Sequence, residues 1–414
     1  MCRRGLGQPL IPRSRGARRR AIVRALEGES EPGFHLQAHP GLAVETVTTQ
    51  EALQALAVEW DELVRAMPRP SPFLLHGWIT EWWRHYGDGA ELRVHVARRD
   101  GRLAGALPLF TRGSGLRVTE FLGSFTSALA DLLLRDPDDA EAERALAARA
   151  ASGDQDFVDL FGLPGGSRLA RALGPKRIRL VERVEAPVLE LGGGWDDVYR
   201  TKTDSKKRNL HKRRRRQLAA LGKLEVSRAR TLSELEPALE DAFRLHELRW
   251  AGRPDGSGFV TEVGKRFHRA ALRRLAELDV PRIVTLKLDG RPIAFHYFFV
   301  LQKRMYVHRL AFDPDLARYS PGLVNTLDAI AAGADEGVEL VEYLGGGERY
   351  KLELADRLDP LYQGLGLASA KGRAVLAARL GTIYLRRRLK RSETLHRLYL
   401  NGFASLRRLP GIRR

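Results

Sequence analysis

The chain has 414 residues, 43% of them hydrophobic and 29% charged. That is ample for a buried core and too long for one ordinary domain, so two or three units are expected. A single cysteine, Cys2, excludes an intramolecular disulfide framework and a cysteine-based zinc site, and it fits a reducing compartment. The formal net charge of +19 points to nucleic acid only until its distribution is read. Seven arginines from Arg3 to Arg20 face no acid, eight Lys and Arg crowd Lys206 to Arg216, and ten between Arg386 and Arg414 face only Glu393. These blocks together exceed the net charge, so the remainder of the chain is near neutral and slightly acidic.

No apolar run reaches the roughly 20 residues that cross a bilayer. Ile293 to Leu301 is short and interrupted by His296. The start of the chain lacks the apolar core of a secretory signal. A soluble cytoplasmic protein is expected, with residues 1–34 as a disordered basic tail.

In chain order the pattern predicts a strand near Leu42–Val47 and helices over Gln50–Met67 and His76–Tyr86. An antiparallel meander follows from the segments Leu92–Ala97, Arg102–Phe110, Leu116–Leu122 and Leu129–Leu134. A helix from Asp138 to Ala151 leads to the strand Phe157–Phe161, and Pro164-Gly165-Gly166 closes a first unit, 35–186.

A second unit, 187–368, repeats the plan after the strand Pro187–Leu191. It comprises a long basic helix from Trp195 to about Leu221, the strand Leu224–Arg228, helices Ser233–Trp250 and Glu262–Leu278, then the strands Arg282–Leu288 and Ile293–Leu301. Asp289-Gly290-Arg291 turns this meander as Asp100-Gly101-Arg102 turns the first, which suggests internal duplication. Helices before a meander, then a helix and a further strand, is an α+β plan with a mixed sheet. Residues 369–414 add two arginine-rich helices as a C-terminal appendage.

The segment from Arg304 to Lys351 carries most information. A strand over Met305–Leu310 runs into the breaker cluster Arg318-Tyr319-Ser320-Pro321-Gly322. A helix over Leu323–Glu336, a strand over Val338–Leu344 and the glycines Gly345-Gly346-Gly347 come next, leading into Glu348-Arg349-Tyr350-Lys351. This order sets backbone N–H groups and the positive end of a helix at a strand exit, where an anionic cofactor can sit.

These residues resemble the acetyltransferase-like proteins grouped with cellulose-biosynthesis CelD in the GNAT superfamily. The resemblance rests on Ser71-Pro72-Phe73 with Trp78 and Trp82-Trp83, on Leu245-His246 with Arg249-Trp250, on Ser320-Pro321-Gly322, and on Gly347-Glu348-Arg349-Tyr350-Lys351. It runs from about Leu42 to Asp359. It implies two tandem GNAT-like units, an arrangement shared with Fem-type aminoacyltransferases, and acyl transfer from acetyl-CoA or another acyl-CoA to an amine. The acceptor class is a sugar, an amino acid or an envelope or polysaccharide precursor, and no metal is implied. It further implies that an N–H on the strand Met305–Phe312, which splays from its neighbour, holds the oxyanion.

Arg318, Tyr319, Ser320 and Gly322 are the candidate cofactor-binding residues, although Pro321 removes one N–H donor from the turn. An ordinary Ser N-cap before a Pro-initiated helix is the structural alternative. Amide formation from a thioester needs a base for the ammonium proton and an acid for the leaving thiolate. Glu348 is the candidate base, Tyr350 the candidate acid, and Lys351 a holder of an acidic substrate or phosphate; a solvated turn is the alternative.

His246, Arg249 and Trp250 share one helical face and are candidates to orient the acceptor, or close a helix end on the core. His296 and His308 read as satisfied core histidines, and Trp78, Trp82 and Trp83 as filling between the halves. The first half, lacking a glycine-rich turn, is expected to be non-catalytic and to wall the acceptor cleft. The basic run 206–216 reads as a solvated face that can also steer CoA, a lipid-linked or nucleotide-sugar acceptor, or tRNA. Two rival readings are an aminoacyl-tRNA donor and a non-catalytic nucleic-acid-binding or assembly protein using its basic tails on anionic surfaces.

Overall fold

The structure, a computed structural model, describes residues 41–192, 194–251, 257–345 and 348–391. The basic N-terminal tail, Gly346, Gly347 and the second C-terminal helix lie outside these residues.

In the first half, β1 (Leu42–Val47) precedes α1 (Gln50–Gln54), α2 (Ala57–Ala66) and α3 (His76–Tyr86). Then come β2 (Ala90–Arg99), β3 (Arg102–Arg112), β4 (Val118–Phe121), β5 (Leu133–Leu134), α4 (Ala140–Ala151), β6 (Phe157–Pro164), α5 (Arg168–Leu173) and β7 (Ile178–Glu190).

The second half runs α6 (Trp195–Lys202), α7 (Ser205–Ala219), β8 (Leu224–Ala229), α8 (Leu232–Trp250), α9 (Glu262–Ala276), β9 (Pro281–Leu288), β10 (Arg291–Leu301) and β11 (Arg304–Phe312). It continues with α10 (Pro321–Asp335), β12 (Leu340–Glu342), α11 (Arg349–Leu354), β13 (Arg357–Gly366) and α12 (Ala370–Arg391). Among the described residues no helix is long and apolar enough to cross a membrane.

The expected α+β plan with a mixed sheet holds, and the two halves share one sheet in the order β1-β2-β3-β4-β6-β13-β7-β12-β11-β10-β9-β8. Each half contributes four antiparallel strands and a fifth that is parallel to the fourth, β4 with β6 and β11 with β12. The last strand of each half crosses over. β13 pairs with β6 of the first half, β7 pairs with β12 of the second, and the two meet along the pseudosymmetric middle of the sheet. The turns Asp100-Gly101 and Asp289-Gly290 match in backbone as well as sequence, with φ of 50° and 78° in one and 49° and 77° in the other. These are the positive angles that a two-residue hairpin turn requires.

Several boundaries differ from the sequence reading for identifiable reasons. The long basic helix breaks at Thr203, because Asp204 caps a new helix by accepting from the Lys207 N–H at 2.6 Å. The strand expected at Pro187 begins at Ile178, so the division at 186/187 falls inside β7. Leu129–Leu134 pairs only at its end, as β5. The expected Glu348–Lys351 loop is the start of helix α11, with Glu348 at the N-cap position.

Of the three tryptophans expected between the halves, Trp78 fills the junction, whereas the rings packed against Trp82 and Trp83 belong to the first half. Trp78 is fully buried, meets Phe267 edge-on at 4.9 Å and Phe299 at 5.6 Å, and donates Nε1–H to Ser127 Oγ at 3.1 Å.

Candidate functional site

β11 and β12 pair over Arg304–Leu340, Met305–Val341 and Tyr306–Glu342 and then part. β11 continues along β10 as far as Phe312, so the expected splay is present from Val307 onward. The first half parts in the same way beyond Thr119 and Val158. There its own chain closes the gap, with the Ala130 N–H bonded to the Gly162 carbonyl at 3.1 Å. Gly162, at φ 87°, leaves no room for a side chain, because a Cβ would stand 2.8 Å from the Ala128 carbonyl.

In the second half the parting opens on a cavity of about 380 Å³. Its walls are His246 and Trp250 from α8, Val307–Leu310 from β11, Tyr343–Gly345 beyond β12, and Glu348 and Lys351 at the start of α11. The first half supplies Phe73, Phe125–Ala128 and Phe161, so it walls the cavity as expected. Phe125 stands at the rim in a left-handed conformation (φ 58°), with its ring against Trp82 and Tyr86.

Lys351 is buried, and its Nζ donates to the Gly345 carbonyl at 3.0 Å and meets Glu348 Oε2 at 3.0 Å. It closes the turn behind the base candidate instead of standing free for a ligand. The Glu348 carboxylate is half exposed and caps no backbone N–H. Tyr350 is absent from the cavity wall. It packs with Tyr343 edge-on at 6.5 Å in the cluster beneath α10, and burial pushes its hydroxyl pKa far up, so it stays protonated. Tyr343 belongs both to that cluster and to the cavity wall, which links the two.

His246 and Trp250 stack at 5.7 Å with an interplanar angle of 9°. Arg249 turns away to lie over the Phe312 ring, 5.0 Å from its centroid. Burial and the charge of Arg309 pull the His246 pKa down to about 4, so it is neutral at pH 7. His268 and His308, shifted down for the same reasons, complete a ring of imidazoles around Phe259, with centroids 5.1, 4.7 and 6.5 Å from it. His296 and His308 differ from the expected satisfied core histidines. Among the described residues neither nitrogen of His296, nor Nε2 of His308, finds a hydrogen-bond partner, and His308 lines the cavity.

The corner at Arg318–Gly322 lies at the exit of β11. Ser320 adopts a left-handed conformation (φ 57°, ψ 49°) and makes no side-chain cap bond, so it is not the ordinary N-cap. Pro321 has no N–H, which leaves those of Gly322 and Leu323 without an intrahelical partner at the positive end of α10. Arg214 of α7 donates to the Arg318 carbonyl, while the Arg318 guanidinium lies 4.6 Å from the Tyr319 ring centroid. Orphan N–H groups flanked by two arginines fit a diphosphate. Gly322 has a packing role too: a Cβ there would stand 2.7 Å from the Phe312 ring.

Sequence reasoning missed Arg309, Tyr343, His268 and the Phe125 loop. Arg309 left a signal, as a lone charge within the apolar run Met305–Phe312. The Phe125 loop left none, because it reaches the cavity only through the junction of the halves. Among the described residues no group of His, Cys, Asp and Glu side chains could hold a metal ion.

Residues 205–352, from α7 into α11, match the family model described as an acetyltransferase (GNAT) domain. Among solved structures, FemX aligns with a TM-score of 0.54 at 11% identity, covering 78% of this chain and 96% of FemX. A conserved protein of unknown function from Bacteroides thetaiotaomicron VPI-5482 aligns at 0.52 with 14% identity, covering 78% and 100% of the two chains. A tandem GNAT protein from the clavulanic acid biosynthesis pathway aligns at 0.46 with 14% identity, covering 80% and 99%. No curated protein matches the sequence. Residues 205–352 thus resemble a GNAT acetyltransferase domain, and the chain has a GNAT-type fold, which it shares with FemX.

Proposed function

We propose that this protein is an N-acyltransferase of the CelD-like group that takes its acyl group from acetyl-CoA or another acyl-CoA and transfers it to an amine. The amine would belong to an amino acid, a sugar or an envelope precursor. The observation that carries the reading is the parting of β11 from β12, which opens onto a cavity, with the uncapped N-terminus of α10 following the end of β11.

Arg318, Tyr319, Ser320 and Gly322, with Arg214 alongside, would hold the diphosphate of this substrate, and the thioester supplies the electrophilic carbonyl. The acceptor enters the cavity against His246 and Trp250, while Arg249 adds positive charge at the corner through its stack on Phe312. Glu348, held by Lys351, takes the ammonium proton through water. The amine nitrogen then bonds the carbonyl carbon as the C–S bond breaks. The nitrogen's second proton passes through water to the departing thiolate, and Tyr350, whose hydroxyl is buried away from the cavity, supports the wall at Tyr343 and is not the acid. A backbone N–H of β11 beyond Val307 supports the oxyanion. The first unit is the non-catalytic wall, and each unit borrows its last strand from the other.

One observation favours a second donor. Lys206, Lys212, Arg213 and Arg216 stand exposed on α7, next to the same corner, and could engage an aminoacyl-tRNA. Thermal unfolding separates the two. Acetyl-CoA at about 100 times its dissociation constant stabilises the chain by about 2.7 kcal/mol under the first reading. A rise with charged tRNA alone supports the second.

A further inference from the structure

We infer that Arg309 receives a carboxylate carried by the acceptor, so that the acceptor is an amino acid or other amino-carboxylate and not a neutral amine. This rests on the acyltransferase reading above and specifies its substrate. Arg309 lies midway along β11 and lines the cavity. Its Nη1–H donates to the His308 carbonyl at 2.9 Å, and its guanidinium stands 5.9 Å from the Phe259 ring centroid. Among the described residues no carboxylate pairs with it.

Other deeply set cations are matched. Arg282 meets Glu336 at 2.7 Å and Asp279 at 3.0 Å, Arg69 and Arg304 share Glu342, and Lys351 has Glu348. An uncompensated charge at such depth is costly unless a ligand completes it. Burial lowers the Arg309 pKa only to about 10, so the charge is present at pH 7.

The geometry of the vacant side favours a carboxylate. A guanidinium with one N–H engaged retains enough donors for a two-pronged contact. The neighbouring histidines are neutral and Lys351 is occupied, so a phosphate dianion would be left half neutralised between aromatic walls. Glu348 also lines the cavity and suits the ammonium group. A guanidinium and a carboxylate in one cavity complement a zwitterion, and Phe125, Phe161 and Trp250 suit an apolar side chain.

The test is calorimetric binding of reaction-product analogues to the full chain: N-acetyl-L-phenylalanine, N-acetyl-L-leucine and N-acetyl-L-tryptophan, each against its carboxamide and its phosphonate analogue. At least one acid should bind tenfold or more tighter than its carboxamide. Arg309→Met should erase that advantage, and Arg309→Lys should keep part of it. Equal binding of acid and amide, tighter binding of a phosphonate, a preference that survives Arg309→Met, or no binding by any of these compounds would overturn the inference. The acid–amide comparison on the unaltered chain stands even if the variants fail to fold. The acetyl-CoA thermal shift, read on the same samples, reports the donor reading separately.

Discussion

Arg69 reaches from the first half of the chain to the fully buried carboxylate of Glu342, with Nε at 3.0 Å and Nη2 at 2.6 Å. Arg304 adds a third bond at 3.1 Å. Glu342 is the last residue of β12 paired with β11, so this cluster pins the two halves together where the site begins to open. Glu342→Gln leaves two arginines without their counter-charge. We expect a loss of about 3–5 kcal/mol in urea unfolding. A loss under about 1 kcal/mol would mean that water already compensates the pair.

Gly322→Ala places a methyl group 2.7 Å from the Phe312 ring, over which the Arg249 guanidinium lies. Overpacking of this kind costs about 1–3 kcal/mol, partly offset by the higher helix propensity of alanine. The variant should unfold at lower temperature and show a reduced acetyl-CoA shift. Adding Phe312→Leu should restore both. Failure of the second change to restore the shift would show that Gly322 acts through its own backbone.

Acid should destabilise the fold early. Burial holds His95 and His246 down to about 4 and His296 down to about 3, against an ordinary value near 6.5. His268 and His308 shift in the same direction. Between those values the unfolded chain binds protons that the native chain refuses. Stability is therefore complete above about pH 7 and falls as pH drops, by about 1.4 kcal/mol per unit for each such histidine. Urea midpoints at pH 7, 6 and 5 should decline steadily; a flat series would show that these imidazoles are solvated.

Glu348 is half exposed and its removal disturbs little packing. Glu348→Gln should lower kcat about 10²–10⁴-fold, if it is the base, and should also cost some stability, because it leaves the buried Lys351 ammonium without its counter-charge. Tyr350→Phe should leave kcat within a few-fold, because its hydroxyl is sealed from the cavity. Unchanged kcat in Glu348→Gln would move the base elsewhere on the wall.

Local pattern made most of the elements legible. His76–Tyr86 was readable to the residue, and the paired Asp-Gly-Arg turns revealed the duplication. The crossing of β7 and β13 was not, because a strand's partner half depends on non-local pairing that no period in the sequence encodes. β13, with Arg357, Asp359 and Pro360 near its start, carries no clean alternation. The same limit applies to the site. His246, Glu348 and Lys351 fell in conspicuous clusters and do meet at the cavity, whereas Arg249 and Tyr350 share those clusters and face elsewhere. Arg309 was a lone charge inside the apolar part of its strand, and its significance came only from the absence of an acid across from it among the described residues.

The central claim is that the corner between β11 and α10 holds the diphosphate of an acyl-CoA. A crystal structure of the full chain with acetyl-CoA tests it most directly. The account predicts diphosphate oxygens within hydrogen-bonding reach of the Gly322 and Leu323 N–H groups, with the acetyl group at the parting beside Val307. Coenzyme bound elsewhere, or an empty corner at saturating coenzyme, would contradict it.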